Sequence, residues 1–359
     1  MQLRHLPVPA QQGCDDCGTN AAMWNRIVAP AACLLAAWVA TGSAGATARA
    51  QAQPPAQSTQ PAAAPANDPD IYLATLSSAR GKLTIGKPVN ITASPGYDNQ
   101  PSFTPDGRLL FASARGARPA PAAAPAQGGR AAAPPTDIYR FVIATGAIER
   151  VTNTPESEYS PTVTPDGAHI SVVRVEADGT QRLWQFGLDG REPSLVLADI
   201  KPVGYHAWLD AHTLALFVLG QPATLQVADV RTGKAEIVAQ GIGRSILRAP
   251  SGGASFVRQV RTAPDIPPTY SIELLAWPRP AGAQPTALIQ AIPGSGDPNL
   301  AWTSDGALLT VADGILYSCR QGDREWTRAG DLNALGLKGV SRLAVSPRGD
   351  HIAIVAAGR

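Results

Sequence analysis

Val163-Thr164-Pro165-Asp166-Gly167-Ala168-His169-Ile170-Ser171-Val172 decides the fold, because it reads as a tight turn feeding an alternating strand. Proline presets φ at the second turn position, aspartate hydrogen-bonds backbone two residues on, and glycine supplies the left-handed conformation of a hairpin turn. The unit recurs. Phe103-Thr104-Pro105-Asp106-Gly107-Arg108-Leu109-Leu110-Phe111 precedes it; Trp302-Thr303-Ser304-Asp305-Gly306-Ala307-Leu308-Leu309 and Val345-Ser346-Pro347-Arg348-Gly349-Asp350-His351-Ile352-Ala353 follow. Weaker copies at Trp208-Leu209-Asp210-Ala211-His212-Thr213 and Ala249-Pro250-Ser251-Gly252-Gly253-Ala254 fill the gaps, so turns return every 40 to 60 residues. That is the length of a four-stranded propeller blade.

Each turn has companions downstream. Asp137-Ile138-Tyr139-Arg140-Phe141, Leu183-Trp184-Gln185-Phe186, Leu225-Gln226-Val227 and Ile272-Glu273-Leu274 read as third strands, and Arg150-Val151-Thr152 as a short fourth. The last unit ends with two strands only, while Asp70-Ile71-Tyr72-Leu73-Ala74 and Val89-Asn90-Ile91-Thr92 supply a third and a fourth strand far upstream. The pattern predicts an all-β, six-bladed β-propeller over residues 70–359, closed by pairing the N-terminal strands with the last blade. Closure removes the free sheet edge that an open array presents to other chains.

The turns and the two Asp-Ile-Tyr strands resemble the TolB-like repeat propellers of bacterial exported proteins, in which a Ser/Thr-Pro-Asp-Gly turn precedes an apolar strand and an Asp-Ile-Tyr strand follows it. The resemblance spans residues 70–357 and is loosest in the third and fourth blades. It implies an exported propeller. TolB itself, as the family implies, carries an α/β domain ahead of its propeller. An Ala/Pro/Gln tether precedes Asp70 here, so a role in the Tol envelope system does not carry over from the resemblance.

Residues ahead of the repeats agree with export. Met23 reads as the initiator, Arg26 as a positive n-region, 27–40 as an apolar h-region and Ala48-Arg49-Ala50 as a cleavage site, giving a targeting segment over 1–50. The apolar run falls short of the roughly 20 residues that span a bilayer, so no membrane span is expected after cleavage. A periplasmic or secreted protein beginning near Gln51 follows. It retains only Cys319, since Cys14, Cys17 and Cys33 lie upstream, so no intrachain disulfide is expected. Residues 51–69, poor in large apolar side chains, read as a flexible linker, and the Ala/Pro-rich 117–135 as a disordered loop within the first blade. With 30 Lys+Arg against 28 Asp+Glu the chain has no field to draw in nucleic acid.

If the first strand of each blade lines the channel, the loops entering those strands ring one mouth. Tyr97, Asp98, Asn99, Glu158, Tyr159, Tyr205, His206, Arg244, Asp297, Asn299 and Arg342 are then the candidate contacts for an envelope protein, a peptide or a small polar ligand. No catalytic residue, metal ligand or cofactor is expected, because no GxSxG elbow, HExxH, Walker loop or dinucleotide glycine pattern occurs. The alternative is a metal-dependent, lactonase-like propeller hydrolase using His206 with Asp98, Glu158 and Asp297. Trp184, Trp208, Trp277, Trp302 and Trp326 read as packing between blades.

Overall fold

The computed structural model describes residues 68–358, apart from 80–81, 117–133, 262–264 and 281. The expected targeting segment, the expected linker up to residue 67 and most of the expected loop lie outside these residues. The described strands form six antiparallel sheets. Blade one runs Asp98–Phe103, Leu109–Ser113, Asp137–Val142 and Ala147–Arg150, each strand pairing with the next. Blades two to five repeat that order, with first strands Ser157–Val163, Val203–Trp208, Ile242–Arg248 and Leu300–Trp302. Blade six combines Arg342–Val345 and His351–Ala357 with Pro69–Ala79, in register from Pro69 against Ala357 to Thr75 against His351.

The turns that announce each blade are held by their hydroxyl residue. Thr164 Oγ1 accepts the His169 N–H at 3.1 Å and lies 2.5 Å from an Asp166 carboxylate oxygen. Thr104 and Thr303 repeat the arrangement, and Ser346 does so with Asp350. The glycine closes the turn at positive φ, +69° at Gly167, where an L side chain is strained.

The second strands were expected to alternate. Instead both faces are buried, which is why Leu109, Leu110, Phe111 and Ala112 form one apolar run, each 1% exposed or less. Successive side chains point to opposite faces. Leu109 and Phe111 therefore pack with Ile71, Ala353 and Val355 of blade six, while Leu110 and Ala112 pack with Ile170, Val172 and Phe186 of blade two. Every adjacent pair of blades has such a wedge; Ile352 and Ile354, for example, meet Leu309 and Leu316 of blade five. The core is a ring of wedges around a channel.

The closing blade departs from expectation at its outer edge. Its third strand runs on to Ala79 and turns back as Lys82–Ile85, with Val89–Asn90 pairing separately against Tyr72 and Leu73. Leu76 and Leu83 fill the wedge against blade five, which rewards the extra hairpin with buried apolar area. The Asp-Ile-Tyr strands explain themselves. Ile71 and Ile138 are fully buried wedge residues, and their N–H groups donate to Thr92 Oγ1 at 2.9 Å and Thr152 Oγ1 at 2.8 Å.

Candidate functional site

Counting back four residues from the turn's first residue gives Gln100, Ser160, Tyr205, Ser245, Asn299 and Arg342, one from each blade. All six line a cavity of about 130 Å³ in the channel. In blades one and two a bulge between Asn99 and Ser102, and between Tyr159 and Thr162, puts Gln100 and Ser160 at φ +57° and +52°. Neighbouring blades are tied across this ring. Gln100 Oε1 accepts the Ser160 N–H at 2.7 Å, Ser245 Oγ that of Leu300 at 3.1 Å, and Asn299 Oδ1 that of Leu343 at 3.0 Å.

Arg342 reaches farther. Its guanidinium donates to the Tyr205 hydroxyl at 2.8 Å, from blade six to blade three, which lies opposite in a ring of six. It also sits 5.1 Å from the Tyr205 ring centroid, within cation–π range. Tyr97 and Tyr159 meet edge to face with centroids 6.1 Å apart. Burial pushes the Tyr97 phenol well above its ordinary value, with Arg342 opposing it. Three tyrosines and one arginine, all sequence-predicted, thus gather at one level.

The other expected contacts divide. Tyr205, His206, Arg244, Asn299 and Arg342 line the cavity; Tyr97, Asp98, Asn99, Glu158, Tyr159 and Asp297 do not. Asn99 accepts the N–H of Gln100 with its own side chain at 2.7 Å. Asp98 and Glu158, equivalent in their blades, are fully buried instead of forming a rim. Asp98 binds Arg115 at 3.0 Å and Ser94 at 3.0 Å. Glu158 accepts from Thr152 at 3.1 Å and from Thr154, and burial pushes its carboxyl up to about 7. Asp297 accepts from the backbone and side chain of Arg244 at 3.0 and 3.2 Å. A Cβ at Gly243 would stand 2.1 Å from Asp297 Oδ1, so the glycine there permits this approach.

His206 is buried, which pushes its imidazole down to about 4 and leaves it neutral. Its Nε2 lies 2.7 Å from Ser171 Oγ, which also lies 3.0 Å from Trp208 Nε1 and 3.1 Å from the Thr162 carbonyl. The indole can only donate. If the serine donates to Thr162 and accepts from both Trp208 and His206, every donor of the cluster is matched and Nδ1 is left as a bare acceptor. The opposite tautomer would leave a buried imidazole N–H without an acceptor, the costlier arrangement. Ser171 is fully buried, so this contact clasps blades two and three together.

Among the described residues no three His, Cys, Asp or Glu side chains are grouped to hold a metal ion. The carboxylates proposed beside His206 are each engaged by another group: Asp98 with Arg115, Glu158 with two threonines, Asp297 with Arg244. Gln100 and Ser245 directly follow Asn99 and Arg244 in loops that the sequence placed at the mouth, whereas Ser160 was not singled out. Their signal was the fixed offset from the turn.

The propeller superposes on a putative TolB from Agrobacterium tumefaciens with a TM-score of 0.56 at 16% identity, over 81% of this chain and 99% of that one. The fold is TolB-like. TolB from Acinetobacter baumannii gives a TM-score of 0.48 at 13% identity, over 81% of this chain and 64% of that one. At these identities the likeness is one of fold alone. No protein-family profile and no curated protein sequence matches the chain. What distinguishes this TolB-like propeller is therefore read from its own channel ring.

Proposed function

We propose that the chain is an exported, non-catalytic binding propeller that presents the channel mouth to an envelope protein or peptide. The observation that carries this reading is the ring of polar side chains, one from every blade, around a small cavity with tyrosines and an arginine at its level. Such a surface offers hydrogen bonds, aromatic faces and a charge, the groups that dominate binding hot spots. Its one buried histidine is neutral and committed to Ser171, which does not suit it to general-base work. The targeting segment read from residues 23–50 supports export, and no helix among the described residues is long and apolar enough to cross a membrane.

The test is capture from cross-linked envelope by protein spanning residues 51–359, beside forms carrying Tyr159→Ala or lacking 117–135. Capture by the parent that is lost with Tyr159→Ala supports the reading. No protein above background with any form sinks it.

A further inference from the structure

We infer that the channel ring is a carboxylate site, with Arg342 as the counter-ion and Gln100, Ser160 and Asn299 as neutral donors. The inference deepens the reading of the mouth as a binding surface and rests on it. Its starting point is charge. Among the described residues Arg342 is the one partly buried arginine with no carboxylate in ion-pair range; Arg115, Arg174, Arg182, Arg258 and Arg279 all have one. Its only hydrogen-bond partner is the neutral Tyr205 hydroxyl. The acids nearest in the repeat are spent elsewhere: Asp297 on Arg244, Asp98 on Arg115, and Glu158 beside Arg174 at 3.9 Å.

The neutral members point the same way. Gln100 and Asn299 each accept a backbone N–H of the next blade on their side-chain oxygen, which leaves the NH₂ end of each amide as the group without a protein partner at the cavity it lines. Ser160 Oγ is buried with no hydrogen-bond partner, and it lines the same cavity. Three donors and a cation around one space, facing no anion, suit a group that only accepts. An ionised carboxylate is such a group, and it takes arginine in bidentate geometry.

Size narrows the ligand further. About 130 Å³ is ample for a carboxylate and its neighbouring atoms, yet below the ~300 Å³ at which pockets for whole drug-sized ligands begin. The cavity therefore takes a carboxylate group and not a whole drug-sized ligand. His206 also lines the cavity, and its Nδ1, an acceptor without a partner, suits an N–H close to that carboxylate. Peptide C-termini carry both groups. On binding, the carboxylate would replace the Tyr205 hydroxyl as the acceptor for Arg342, exchanging a neutral acceptor for a charge-assisted bond.

The test uses protein spanning residues 51–359 and calorimetric titration with acetyl-Ala-Ala-Ala, with its C-terminal amide, and with acetate. The free-acid peptide is expected to bind about tenfold tighter than the amide, a preference lost in Arg342→Gln. Tyr205→Phe, which removes the competing acceptor, is expected to tighten the free acid and keeps the test alive if Arg342→Gln does not fold. Acetate binding as tightly as the acid peptide also supports the site and makes its source a small free carboxylate. Equal binding of acid and amide, absence of binding to the parent protein, or a preference that persists in Arg342→Gln overturns the inference. Acid preference without a captured partner removes the envelope reading alone; a captured partner without acid preference removes the carboxylate site alone.

Discussion

Glu158 and His206 stand in successive blades close to the mouth, and burial moves them in opposite directions. The Glu158 carboxyl is raised from an ordinary 4.5 to about 7, so the folded protein binds more protons than the unfolded chain between those values. Its contribution to stability is full below about 4.5 and is lost as pH rises through about 7. The His206 imidazole is lowered from 6.5 to about 4, so its contribution is lost as pH falls through that window. The two slopes offset each other where they overlap. Urea midpoints from pH 4 to 8 are expected to rise with pH up to about 6.5 and then level off in Glu158→Gln, and to fall from about 4.5 to 7 in His206→Gln. A Glu158→Gln protein that keeps the parent's slope between pH 6.5 and 7.5 would show that this carboxyl is not the titrating group. Neither environment was legible in the sequence, where both residues read as rim contacts. Whether a loop-end carboxylate faces water or a neighbouring blade depends on how the strand is bulged.

Turns and strands carry their own energetics. Gly107 and Gly253 share a φ of +87°, but a Cβ at Gly107 meets nothing within 4 Å, whereas at Gly253 it falls 2.0 Å from the Leu275 carbonyl oxygen. Gly107→Ala is expected to cost the left-handed penalty alone, roughly 1–2 kcal/mol. Gly253→Ala adds a backbone collision and is expected to cost clearly more in the same denaturation assay; equal losses would mean that the turn relaxes freely. Thr164→Val removes a hydroxyl that bonds the His169 N–H, and about 1 kcal/mol should go with it, while Thr164→Ser keeps most. The blade-four turn was hard to recognise for a physical reason. Ala249-Pro250-Ser251-Gly252 has no hydroxyl at its first position and keeps only the backbone bonds common to these turns, Ala249 N–H to the Gly253 carbonyl and Gly252 N–H to the Ala249 carbonyl, both at 3.0 Å. Tryptophans add a second link between blades. Trp208 and Trp302 donate to Ser171 and Ser255 of the preceding blade at 3.0 and 2.8 Å, an inter-blade role that their sequence positions had suggested.

Across the whole molecule, each wedge belongs to two blades, so no blade owns its core and the ring should unfold as a unit. Phe111→Ala opens the wedge between blades six and one, at about 3–5 kcal/mol, whereas the described tryptophans all lie in blades two to five. In protein spanning 51–359, tryptophan fluorescence and far-ultraviolet circular dichroism are expected to report one common transition, shifted alike by this substitution. A fluorescence midpoint left where it was would show that blades unfold independently. The sequence by itself determined the number of blades, their strand order and the pairing of the two chain ends, because turn chemistry and apolar runs are local and repeat with a fixed length. It also marked the mouth-level tyrosines and Arg342. Only the tertiary structure decided which side chains share the channel and which are spent behind it. Arg342 and Tyr205 are 137 positions apart along the chain and 2.8 Å apart across the ring. Such a contact is created by closure, and no local pattern records it.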